Sequence, residues 1–121
     1  MEITVKKLAE HLQLKCISGC DGLQKVVRGV YVSDLLSDVV GHAEEAQLWI
    51  TLHTHPNIVA VATLKNLSAI IISGGRIPES ETIEASEKQQ IPILLSSQTT
   101  FQLSGQIYRL LYADNEENRI S

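Results

Sequence analysis

Aromatic residues are scarce in this sequence: Trp49, Phe101, Tyr31, Tyr108 and Tyr112 are the five among 121 residues. So few rings argue against a stacking platform for single-stranded nucleic acid. A core must instead be assembled from Ile, Leu, Val and Ala, the residues of a parallel α/β sheet. Basic clusters are also missing. Ten Lys and Arg stand against 14 Asp and Glu, for a net charge of −4, and no run of Lys or Arg exceeds two residues, so a grip on a phosphate backbone has no electrostatic basis. The apolar runs fall far short of the ~18 residues a membrane span needs, and the opening Met-Glu-Ile-Thr-Val-Lys-Lys has no apolar signal core. The expectation is a soluble, cytoplasmic protein with no nucleic-acid or membrane partner.

Cysteine is limited to Cys16 and Cys20, in "KCISGC". A disulfide framework would use more cysteines behind a signal peptide, so both are expected to be reduced thiols. A zinc site would need two further ligands, for which His11 and His42 are available, but C-x3-C alone is a weak pattern.

The sequence does hold 44 % apolar residues, enough for one core in one domain. Thr4 precedes Val5, Leu8, Ala9 and Leu12 at helical spacing, which predicts a capped helix over 5–12. A short strand over 14–18, turn chemistry in "GCDGLQ" and a β-branched strand over 26–32 follow, with Asp34 placed to cap a helix in "LLSDVVGHA". From residue 47 the apolar runs "LWITL", "AIIIS" and "IPILLS" alternate with helical lengths over 57–66, 80–90 and 99–112. This βαβαβα rhythm predicts an α/β single domain, a mostly parallel central sheet with flanking helices. Its parts are a helix-strand-strand portion (1–46), the βαβαβα core (47–112) and a polar tail (113–121) expected to fray.

Ligands collect at the carboxyl ends of parallel strands, where helix N-termini favour anions. The loops there would be "HTHPN", "GGRIPES" and "SQTT". Their candidate ligand-binding residues are His53, Thr54, His55, Asn57, Gly74, Gly75, Arg76, Ser97, Thr99 and Thr100, with Gln98 among them. Gly74 and Gly75 permit close backbone approach, and Arg76 suits a carboxylate or phosphate. The plainer account makes Asn57, Ser80, Thr99 and Thr100 helix caps, the glycines a tight turn and Arg76 a solvated side chain. His53-x-His55 is a spacing found in metal hydrolases, yet the other strand ends carry no carboxylate and the nearest acids, Glu79 and Glu81, lie further along. No Gly-x-Ser-x-Gly elbow is present, and "GCDGLQK" does not have the spacing of a nucleotide-phosphate loop. Neither a catalytic residue nor a cofactor or metal is assigned.

The stretch "AIIISGGRIPESETIEASEKQQIPILLSSQTTFQLSGQI", within a segment from about Leu48 to Leu111, resembles the DRTGG domain family, with Gly74 and Gly75 at that family's paired glycines and Thr99 or Thr100 near its next polar turn. "TVKKLAEHLQLKCISG" and "VVRGVYVSDLLSDV" are similar to the N-terminal domain of HPr kinase/phosphorylase. Where the name-giving motif has Gly-Asp-Arg-Thr, this chain has Leu52, His53, Thr54 and His55, so the Asp and Arg have no counterpart. The resemblance implies a non-catalytic regulatory or protein-interaction module, a homodimer with a protein partner; the alternative, read from the strand-end loops, is a sensor of an anionic small molecule such as a nucleotide, and a His53–His55 metal hydrolase is the least favoured. Members occur beside CBS pairs, in pyrophosphatases and in phosphotransacetylases.

Overall fold

The structure is a computed structural model that describes residues 2–112 in full and, for 113–120, the helical course of the backbone. Where the sequence suggested a fraying tail, the backbone continues as helix to Ile120; the side chains of 113–120 and all of Ser121 lie outside the described residues.

Thr4 ends a two-residue strand, β1 (Ile3–Thr4), and starts helix α1 (Val5–Leu12), accepting the Lys7 N–H on its side chain at 3.1 Å as the sequence predicts. Val5, Leu8 and Ala9 form the buried face of this helix. Strand β2 (Lys15–Ser18) and a single 3-10 turn (Cys20–Gly22) follow. The predicted strand over 26–32 is instead two strands. Its first part, β3 (Val26–Val27), pairs antiparallel with β1, while β4 (Gly29–Val32) joins the main sheet.

The remaining elements are α2 (Leu36–His42), β5 (Gln47–Thr51), α3 (Asn57–Leu64), β6 (Ala69–Ile72), α4 (Ser80–Gln89), β7 (Ile93–Leu95) and α5 (Thr100–Ile120). The sheet order is β2-β7-β6-β5-β4, with β4 to β7 mutually parallel and β2 antiparallel at one edge.

Alternate residues of the parallel strands supply two separate cores. Leu48, Ile50, Ala69, Ile71 and Leu94 pack with residues of α1 and α5, whereas Trp49, Ile70, Ile72 and Ile93 pack with residues of α2 and α3. Trp49 is fully buried, and its indole N–H donates to the Ser33 carbonyl at 2.9 Å, so burial leaves no unpaired donor. The cysteines, expected as thiols, are paired as a Cys16–Cys20 disulfide with Cα atoms 6.1 Å apart. Only three residues separate them, so a local bridge can form without a multi-cysteine framework.

Asp34 does not cap α2. That helix begins after Leu35 without a side-chain cap. It is tied to β4 by the Tyr31 hydroxyl, which donates to Asp38 Oδ2 at 2.9 Å. This bond, followed by contacts with Ser33 and His42, holds the Asp38 carboxyl below the usual carboxylate range, while the Tyr31 phenol is pushed up. A depressed acid stabilises the fold above its unfolded pKa, and that contribution fades as pH falls through the folded value. Tyr31→Phe is therefore expected to raise the Asp38 titration midpoint, read by carboxyl carbon NMR; an unmoved midpoint contradicts the assignment. Ala46 adopts φ 67° while its N–H donates to the Asn66 carbonyl at 2.9 Å. Glycine tolerates that backbone, so Ala46→Gly is expected to add about 0.5–1 kcal/mol to the unfolding free energy in a denaturant titration.

Candidate functional site

Because β4 to β7 are parallel, their carboxyl ends share one edge of the sheet. This places His53, Thr54, His55 and Asn57 after β5, Gly74, Gly75 and Arg76 after β6, and Ser97, Gln98, Thr99 and Thr100 after β7 together at that edge. A fourth loop, Ser33–Asp34 after β4, belongs with them. The sequence signal was a β-branched run ending in Ser-Asp, but the parallel pairing of β4 with β5 is a tertiary fact.

Hydrogen bonds stitch the four loops in sheet order. Asp34 Oδ1 accepts from Thr51 Oγ1 at 2.9 Å and from the Leu52 N–H at 2.7 Å, and the Asp34 carbonyl accepts from His53 Nε2. Arg76 Nη1 donates to the Leu52 carbonyl at 3.2 Å. The Thr54 carbonyl accepts from the Glu79 N–H at 3.1 Å and from Thr82 Oγ1 at 2.6 Å, which anchors the β5 loop to α4. Gly74 and Gly75, both left-handed at φ 75° and 73°, donate their N–H groups to Gln98 O at 2.7 Å and Ser96 O at 2.9 Å. Glycine suits both positions because it enters this region without the cost that a side chain adds. The two amides close the β6 loop on the β7 loop and are thereby occupied.

The proposed caps divide. Thr99 starts α5 with its hydroxyl on the Gln102 N–H at 3.2 Å, and Gln102 Oε1 returns to the Thr99 N–H at 3.4 Å, a capping-box arrangement. Thr100 Oγ1 pairs instead with Ser73 Oγ at 2.7 Å, joining the β6 and β7 ends. Asn57 and Ser80 are first helical residues rather than caps. The Asn57 N–H donates to His55 Nδ1 at 3.0 Å, so His55 serves as the capping acceptor, and Asn57 Oδ1 is buried with no partner among the described residues. His53 and His55 thus have separate local tasks. His53 meets Asp34 through the backbone carbonyl, and the Asp34 carboxylate oxygen Oδ1 already accepts two bonds. Among the described residues no group of three or more His, Cys, Asp or Glu side chains could hold a metal.

Arg76 is exposed and forms no ion pair among the described residues. Its guanidinium uses one donor on Leu52 O and keeps the others available. The edge therefore presents a positively charged fork beside the starts of α3, α4 and α5, whose N-termini carry positive dipole ends. A cavity of about 470 Å³ at the opposite edge contains Lys25, Arg28, Glu45 and Asn66. Lys25 donates there to the Gln90 carbonyl at 2.8 Å, and burial lowers its pKa. The carboxyl ends of α3 and α4 lie at that edge, a polarity that disfavours anions.

Comparisons with known proteins agree with this architecture. A model of the DRTGG domain matches residues 7–110. A crystal structure of the CBS and DRTGG domains from the regulatory region of Clostridium perfringens pyrophosphatase, complexed with its activator diadenosine tetraphosphate, is similar with a TM-score of 0.66 and 21 % identity. The match covers 84 % of this chain and 44 % of that one. No curated protein matches the chain. No described helix is long and apolar enough to cross a membrane.

Removing Asp34 tests the stitching. Asp34→Ala leaves the buried Thr51 hydroxyl and the Leu52 N–H without their acceptor, with an expected loss of about 2–3 kcal/mol in denaturant unfolding. Asp34→Asn keeps a carbonyl oxygen and should lose about half as much. Equal losses would show that the acceptor geometry is not what matters.

Proposed function

Since the chain belongs to the DRTGG domain family, its matched region spanning nearly the whole sequence, we propose that it is a non-catalytic regulatory module whose strand-end edge senses an anionic small molecule of the nucleotide class. The observation that carries this reading is Arg76, an exposed cation at an edge with no ion-pair partner among the described residues. A phosphate there would meet a bidentate donor and favourable helix ends.

Among the sequence candidates, Arg76, Thr54 and Ser97 are the direct contacts in this proposal, and Asn57 starts α3 beneath them. Gly74, Gly75, Thr99, Thr100, His53 and His55 shape the surface on which those contacts stand. The architecture of the C. perfringens neighbour, in which a DRTGG domain accompanies CBS domains in a region bound by a dinucleotide activator, supports a regulatory role. The module acts as a homodimer, and a protein partner reads its liganded state.

A ligand that binds the folded state at ~100-fold excess over its Kd adds about 2.7 kcal/mol of stability. A thermal-shift screen with adenine and guanine nucleotides and phosphorylated metabolites should yield a stabilising anion. Arg76→Ala should weaken it at least about tenfold, or ~1.4 kcal/mol. Unchanged affinity in that variant removes the anion grip, and a flat screen favours recognition of a protein alone. Light scattering should give twice the 13.3 kDa chain mass; a monomer at micromolar concentration removes the dimer.

A further inference from the structure

We propose that Cys16 and Cys20 are a reversible dithiol–disulfide pair, a covalent modification site opened and closed by small thiols and their disulfides, with Cys20 the sulfur that is attacked. Cys16 lies on β2 and Cys20 begins the 3-10 turn, with Gly19 reversing the chain between them at φ 66°. Their Cα separation of 6.1 Å is within the span of a disulfide. They are the chain's only cysteines, so within one chain each can bridge only to the other.

The turn does not depend on the bridge for its shape. Gly22 N–H donates to Gly19 O at 2.9 Å, Gly19 N–H to Glu87 Oε1 at 2.7 Å, Asp21 N–H to Gln90 Oε1 at 3.1 Å and Lys6 N–H to Leu23 O at 2.9 Å. A Cβ on Gly19 would stand 2.3 Å from Ile91 O, so the turn lies directly on the backbone that leads into β7. With the sulfur bond broken, these contacts keep the two thiols adjacent and ready to close again. A loop with three intervening residues also restricts the unfolded chain little, which is a poor use of a structural cross-link.

The two sulfurs differ in access. Cys20 is exposed, while Cys16 is half-buried against the α1 and α5 side of the core. Opening proceeds by attack of an external thiolate on Cys20 Sγ, with the Cys16 thiolate as leaving group. A second external thiol then attacks the mixed disulfide, releasing Cys20 as a thiolate and the low-molecular-weight disulfide RSSR. Closing is the reverse: two protein thiols and one RSSR give the protein disulfide and two RSH. The pair sits by the amino end of β7, opposite the candidate ligand edge, so this inference stands or falls independently of the proposed function.

The test uses the full, folded chain equilibrated in reduced and oxidised glutathione buffers, quenched by alkylation and weighed intact. Conversion between zero and two alkylated thiols without denaturant, with the same circular dichroism in both states, is the expected result. Two free thiols in fully oxidising buffer would overturn it. So would a bridge that resists excess reduced glutathione until denaturant is added, because that describes a structural staple. In the single variants, Cys20 in Cys16→Ser should form a mixed disulfide with oxidised glutathione at least about tenfold faster than Cys16 in Cys20→Ser; the opposite order refutes the assigned point of attack. Should either variant fail to fold, the redox equilibrium of the unaltered chain decides the question.

Discussion

Burial of both faces of the parallel strands is the constraint on which the other features depend. In β5, Leu48 and Ile50 face one core and Trp49 the other, and β6 divides in the same way between Ala69 and Ile71 on one side and Ile70 and Ile72 on the other. Neither face tolerates water, so helices must cover both. Parallel strands also need crossovers to return the chain to the starting edge, and α2, α3 and α4 occupy those connections. The same direction of travel brings all four strand ends to one edge, and the candidate site is a geometric consequence of the core.

At that edge most polar groups satisfy one another. The Gly74 and Gly75 amides, which a phosphate could have used, hold the β7 loop instead. Asp34 holds the β5 loop, and His53 and His55 complete local hydrogen bonds. The departure from the family's Gly-Asp-Arg-Thr loop is thus more than a loss of charge, because the residues in its place have tasks of their own. Arg76 retains unused donors, and a loop network tied at this many points holds the backbone it leans on in a defined place. Such preorganisation reduces the ordering cost of binding.

Local patterning made much of this legible. Thr4 capped its helix as read, and the three apolar runs after residue 47 became β5, β6 and β7. Their uniform apolarity reflects two-sided burial, a property that composition records directly. The division at Arg28 was not legible, since β-branched residues continue through it and only the choice of partner, β1 or β5, separates β3 from β4. Asp34 was misread for a related reason. An Asp before a helix suits a cap, but here a neighbouring strand offers the buried Thr51 hydroxyl and the Leu52 amide, and these donors take the carboxylate. The disulfide was missed because the expectation rested on cysteine count, whereas bridging depends on the approach of two Cα atoms.

By itself the sequence determined the α/β class, the helix and strand rhythm of the second half and the residues of the strand-end loops, because periodicity and apolarity are local imprints of burial. Tertiary structure alone decided that β4 adds a fourth loop to the edge, that the paired glycines spend their amides on the β7 loop, and that Arg76 has no ion-pair partner among the described residues. Each depends on which distant groups meet, and no local pattern encodes how a hydrogen-bond donor chooses among partners brought together only by folding.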